Sequence, residues 1–205
     1  MNAETRRTVV GTASESERGV GGTTSTAPPV RGVGQRYNRE NARIIYGALK
    51  AAGINFIAYL PDSWSYQLNK LAREDPDVQS ISVSREDEGM AICMGAFMGG
   101  RKPAIIMEAS GWGLSGLVLS RPGLLQRMPL LILSSHVISL GEIHDYHGET
   151  RWVEPIVRAL GLPYMIATDI QTVPRLIREL QATVEGQLLP AAIMFPRHIL
   201  WEEES

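Results

Sequence analysis

The chain has 205 residues, 44% of them hydrophobic, which is enough to bury one good core and too little for two full-sized domains. Its 20 basic and 22 acidic residues leave a formal charge of −2, which excludes the strong positive field that nucleic acid or an anionic membrane requires and points to small-molecule or protein partners. The one cysteine, Cys93, cannot close an internal disulfide, and no apolar run approaches the roughly 20 residues that cross a bilayer, so a cytoplasmic protein without a membrane partner is expected.

Residues 1–37 are rich in Gly, Ser, Thr and Arg, with Pro28-Pro29 near their end, and carry no apolar period. They read as a flexible N-terminal arm, with 38–205 as the folded domain. From Asn38 onward Ile44, Ile45, Ala48, Leu49 and Ala52 recur at helical spacing, and Gly53 stands where a C-terminal cap belongs, which predicts a helix. Short apolar runs then alternate with helical patterns and predict six strands, at 55–60, 80–83, 104–108, 130–134, 164–167 and 191–195. Runs apolar on both faces and separated by helices imply a mainly parallel sheet covered on both sides, an α/β fold of three layers, αβα.

Ligands of such sheets bind beyond the carboxyl ends of the strands, so the loops that follow the strands carry the chemistry. The first is Pro61-Asp62-Ser63, the second meets Arg85-Glu86-Asp87-Glu88, and the third is Ser110-Gly111-Trp112-Gly113. The fourth runs over 135–150 and holds His136, His144, Asp145, His147 and Glu149. The residues of this loop alone leave three roles open: metal ligands, proton donors to a substrate, and hydrogen-bonding partners within the loop. Gly111-Trp112-Gly113-Leu114-Ser115-Gly116 fits the G-x-G-x-x-G dinucleotide fingerprint, after a strand and before a helix. Against a nicotinamide oxidoreductase, it lies in the third βα unit rather than the first, and the strand at 130–134 does not end in the acid that would bind a ribose.

A longer pattern joins Glu86, Gly95 nine positions on, Arg101-Lys102-Pro103 with the proline eight after that, a buried strand, and Ser110-Gly111-x-Gly113. Over about 38–195 this resembles the pyrimidine-binding domain of thiamine-diphosphate enzymes such as acetolactate synthase. Leu60-Pro61-Asp62-Ser63 and Ser84-Arg85-Glu86-Asp87-Glu88-Gly89 are similar to turns of the sulfopyruvate decarboxylase α subunits and of phosphonopyruvate decarboxylase. The resemblance implies the thiamine-diphosphate-binding fold and a 2-oxo acid decarboxylase subunit in which Glu86 hydrogen-bonds N1′ of the aminopyrimidine and promotes loss of the C2 proton. It implies cofactor contacts from Ser110, Gly111, Trp112 and Gly113, substrate contacts from Pro61, Asp62, Ser63 and His136, and proton donation by His144 and His147. Glu88 would take the place of Glu86 if the register slipped by two, and Cys93 is expected to be inert core.

No Gly-Asp-Gly occurs in the chain, whereas the family binds Mg²⁺ and diphosphate through that motif and a later asparagine. No metal ligand is therefore expected here, and the partner implied is a β subunit carrying Gly-Asp-Gly and the asparagine, in a hetero-oligomer such as α2β2 or larger. Two departures touch the ligands. Leu114 stands at the asparagine of the decarboxylases' Ser-Gly-x-Gly-Asn with Trp112 at x, and Ser134-Ser135-His136 stands where the phosphonopyruvate and sulfopyruvate enzymes carry Trp-Arg-Gly. Losing that guanidinium should cost affinity for an anionic tail. A non-catalytic pyrimidine-type domain that binds or regulates a partner is the alternative from a different functional class.

Overall fold

The first helix, α1 (Arg39–Ala51), forms where local chemistry both starts and stops it. The Asn38 side chain accepts the Asn41 N–H at 2.9 Å, and Gly53 ends the helix with a φ of 85° that only a residue without Cβ adopts at little cost. Between them Ala42, Ile45, Tyr46, Ala48 and Leu49 face the core. The structure, a computed structural model, describes residues 37–136 and 152–202. Residues 1–36 of the expected arm, and His144, Asp145, His147 and Glu149 of the fourth loop, lie outside the described residues.

The remaining elements in chain order are β1 (Phe56–Tyr59), α2 (Tyr66–Glu74), β2 (Gln79–Ser82), α3 (Glu86–Met98), β3 (Pro103–Met107), a 3₁₀ turn at Ala109–Gly113 and α4 (Gly116–Val118). Then follow β4 (Leu130–His136), α5 (Val153–Ala159), β5 (Tyr164–Ile166), α6 (Val173–Gln187), β6 (Pro190–Pro196) and α7 (Arg197–Leu200). Each of the six predicted strands is present, with ends within two residues of those expected. They form one sheet in the order β2-β1-β3-β4-β6-β5, and every neighbouring pair is parallel.

β1, β3, β4 and β6 are buried along their whole length, as strands covered on both faces must be, whereas the edge strands β2 and β5 are not. Helices α1, α2 and α6 pack together, and α3 lies on β1 and β3 beside α4. The approach of α3 to the sheet depends on Gly89, where a Cβ would stand 2.8 Å from Ile105 Cδ1 and 3.0 Å from Val83 Cγ2. The helix expected after the glycine fingerprint is irregular. α4 passes into a π-helical stretch, Leu119–Leu125, containing Pro122, which has no N–H with which to continue an α ladder.

Tyr37, grouped by composition with the arm, forms an antiparallel bridge with Trp201, stacks on Tyr66 at a centroid distance of 5.3 Å and meets the Trp201 ring at a tilt at 4.7 Å. Among the described residues no helix is long and apolar enough to cross a membrane. From β1 the chain steps outward to β2, then crosses back over β1 to β3 and continues to β4 on the other side. That reversal opens a crevice between the carboxyl ends of β1 and β3, the place where an open parallel sheet binds its ligands.

Candidate active site

Three strand ends meet at this crevice. After β1, Asp62 folds its carboxylate back onto its own turn, accepting the Ser65 N–H at 2.8 Å and the Ser65 hydroxyl at 2.6 Å. Burial pushes its pKa above the usual carboxylate range, against those bonds and the Trp64 N–H, which pull it down. Asn69 ties α2 to the same place by donating to Leu60 O at 2.7 Å and Ser65 Oγ at 2.9 Å. Pro61 and Ser63 are exposed.

After β2 come the acids at the start of α3, and their surroundings tell them apart. Arg85 gives its guanidinium to Asp87, with bonds of 3.0 and 2.9 Å, and Glu88 is exposed and accepts the Ser84 N–H at 3.3 Å. Both are therefore engaged at the helix surface. Glu86 is the one turned inward, 6% exposed, and its carboxyl has no hydrogen-bond partner among the described residues. Its oxygens are not among the fully buried atoms without a partner, so the carboxyl is free to accept a hydrogen bond from a ligand or donate one to it.

After β3 the 3₁₀ turn closes over Glu86. A methyl group on Gly111 would run into Cβ, Cγ and Cδ of Glu86, so the absence of a side chain at 111 is what lets the glutamate lie there. The space beside Gly111 is filled by the Glu86 side chain. This also weighs against the dinucleotide reading, because the first glycine of the fingerprint faces a carboxyl group rather than open space for a pyrophosphate. Gly113 lies under the Trp152 ring, where a Cβ would be 3.4 Å from Cζ3, and the Ser110 hydroxyl donates to Glu108 at 3.2 Å.

Glu108 was not singled out by the sequence reading. It stands at the carboxyl end of β3, and burial first, then the charges of Asp62 and Glu86, hold its pKa above the usual range, with the Ser110 bond pulling the other way. An acid that ends a strand buried on both faces, in a parallel sheet, was the available signal. Asp62, Glu86 and Glu108 share this region without forming a metal site, and among the described residues no group of His, Cys, Asp and Glu does.

From β4, His136 is 7% exposed and its Nε2 lies 3.5 Å from Glu154 Oε1, a long contact. Burial holds the imidazole below its ordinary pKa, more strongly than Glu154 raises it. Glu154 is itself anchored by Arg158 at 2.7 Å and the Tyr164 hydroxyl at 2.9 Å. Cys93 is fully buried, its thiol donating to Ala104 O at 3.3 Å, and burial pushes its pKa up to about 12.

No protein-family model matches the chain. The sulfopyruvate decarboxylase subunit alpha of Methanococcus maripaludis is 28% identical over 161 residues, covering 78% of this chain and 96% of that one. That of Methanocaldococcus jannaschii is 31% identical over 159 residues, covering 77% of this chain and 94% of that one. The chain belongs to the sulfopyruvate decarboxylase alpha-subunit family. The fold is found again in a 2-oxoglutarate:ferredoxin oxidoreductase from Magnetococcus marinus, with a TM-score of 0.56 and 13% identity over 78% of this chain and 29% of that one.

Within this member of the sulfopyruvate decarboxylase alpha-subunit family, Trp112 of the glycine turn and Ser134 of β4 touch each other. Trp112 is fully buried and donates its indole N–H to Ser134 Oγ at 3.1 Å, while Ser135 Oγ accepts the Ala109 N–H at 2.9 Å. The serine pair that ends β4 therefore holds the 3₁₀ turn in place, and the Trp112 side chain serves the core.

Proposed function

We propose that the chain is the alpha subunit of a thiamine-diphosphate- and Mg²⁺-dependent 2-oxo acid decarboxylase, and that Glu86 is its cofactor-activating residue. The observation that carries this reading is the inward-turned Glu86, its carboxyl without a hydrogen-bond partner among the described residues, at the switch point of the sheet. The residues present fit half of the cofactor. Glu86 offers a carboxyl without a hydrogen-bond partner among the described residues, and the 3₁₀ turn offers Gly113 as its exposed residue, to a heteroaromatic ring with its own donors and acceptors. Nothing comparable serves a metal diphosphate, since Gly-Asp-Gly does not occur in the 205 residues. The reading therefore gives that half to a beta subunit carrying the motif and its asparagine, in a cytoplasmic hetero-oligomer such as α2β2.

Thiamine diphosphate, when bound, supplies the nucleophilic carbon that adds to a 2-oxo acid and the electron sink for loss of CO2. Glu86 would hold a hydrogen bond to N1′ of the aminopyrimidine and move a proton there. The turn at Ser110, Gly111, Trp112 and Gly113 would support the ring through backbone groups, and Gly111 would keep Glu86 in position. Pro61, Asp62, Ser63 and His136 remain proposed substrate contacts, and His144 and His147 proposed proton donors. Glu86→Gln preserves shape, so the assembled complex should still bind cofactor, while C2 proton exchange should fall about 10²-fold or more, the scale of a positioned acid or base. Exchange at the wild-type rate in a complex that binds cofactor normally would remove the assignment.

A further inference from the structure

Between α2 and the edge strand β2 lies a cleft of about 530 Å³ that shares Pro61, Asp62 and Ser63 with the substrate contacts proposed above and reaches beyond them. Its volume is within the range of small-molecule sites, about 300–1,000 Å³. Helical spacing puts Tyr66, Lys70 and Arg73 along the stripe of α2 that lines it, while Leu68 and Ala72 turn to the core. Ser63 and Ser82 add hydroxyls from the turn and from the end of β2.

These donors are uncommitted. Neither the Arg73 guanidinium nor the two serine hydroxyls has a hydrogen-bond or ion-pair partner among the described residues. Among the described residues Lys70 reaches only Glu74, at 3.9 Å with side chains 45% and 57% exposed, a pairing that contributes little. The acid in the lining, Asp62, has both carboxyl oxygens turned to Ser65.

We propose that this cleft binds a small organic molecule through a tetrahedral oxyanion, a phosphate, phosphonate or sulfonate group, held by Arg73 and Lys70 with Ser63 and Ser82 as further donors. A guanidinium presents paired N–H groups that match such oxygens, and an ammonium adds a point charge. The oxyanion fills only part of the volume, and Tyr66, stacked on Tyr37, supplies an aromatic wall for the rest of the molecule.

Inorganic phosphate is the probe, titrated into the full chain with sodium chloride at matched ionic strength as the control, since unspecific screening acts equally with both salts. Phosphate should raise the melting temperature beyond chloride. Arg73→Ala should weaken its apparent Kd about tenfold or more, the loss expected for a hydrogen bond to a charged group, and Arg73→Lys should recover part of it. Arg101→Ala, at the amino end of β3, should change nothing. The proposal is overturned if phosphate does no more than chloride, or if Arg73→Ala and Lys70→Ala leave the Kd unchanged. In the assembled complex, a KM rise in Arg73→Ala confined to 2-oxo acids with a sulfonate tail would identify the ligand as the substrate itself. An unchanged KM with a lost phosphate response would identify a separate ligand. The titration needs no partner or cofactor, so its failure is independent of the thiamine reading.

Discussion

Gly111→Ala tests the contact on which the candidate site turns. Gly111 is not among the glycines with positive φ, so alanine fits the backbone there, and on that ground alone the change should stabilise by about 0.4–1 kcal/mol. The new methyl, however, would stand 2.8 Å from both Cβ and Cδ of Glu86 and closer still to Cγ, a separation that folded proteins do not sustain. Overpacking of this kind costs about 1–3 kcal/mol, so it wins, with a net loss of about 1–2 kcal/mol. At about 2–4 °C per kcal/mol for a domain of this size, thermal denaturation followed by circular dichroism should show a fall of about 2–8 °C. Glu86→Gly removes all three colliding atoms. In that background Gly111→Ala should cost nothing or stabilise, and the difference between backgrounds is the coupling energy of a double-mutant cycle. An equal cost in both backgrounds would refute the contact, and with it the account of how Glu86 is held.

Two further outcomes follow from burial. Glu108, with its pKa raised mainly by burial, binds its proton more tightly folded than unfolded, so stability falls as pH rises through the unfolded and then the folded pKa, and above both the fold carries the whole penalty. Glu108→Gln should therefore raise the melting temperature at pH 8 and lose that advantage toward pH 4, and a pH-independent difference would contradict the sign. Cys93, fully buried with its pKa pushed up to about 12, should resist thiol reagents until the chain unfolds, and stoichiometric labelling in native buffer would show the helix α3 packing to be wrong.

Much of the fold was legible because its signals are local. Strands buried on both faces must be continuously apolar, so runs such as 104–108 and 130–134 announce themselves, and Gly53 marks a helix end through its own backbone angle. The parallel order of the strands then followed from the spacing of helices between them. The site was legible only as a set of loops. Which of Glu86, Asp87 and Glu88 turns inward depends on Arg85 choosing Asp87, and the purpose of Gly111 depends on a glutamate 25 positions earlier. Glu108 passed unnoticed because its neighbours, Asp62 and Glu86, come from the turn after β1 and the start of α3, and no spacing along the chain expresses that proximity.

The Trp112–Ser134 hydrogen bond changes how this chain can be compared and recombined with its relatives. A tryptophan in the glycine turn and a serine of the fourth strand lie 22 positions apart in the chain, yet in three dimensions they act as one unit, because the indole N–H is buried and Ser134 is its acceptor. Replacing Ser134 by a residue that cannot accept would strand a buried donor, and replacing Trp112 by a small residue would leave a void where the indole had been. The two segments form a single cassette, and transplants that move them together are the ones that should yield a folded, exchangeable subunit.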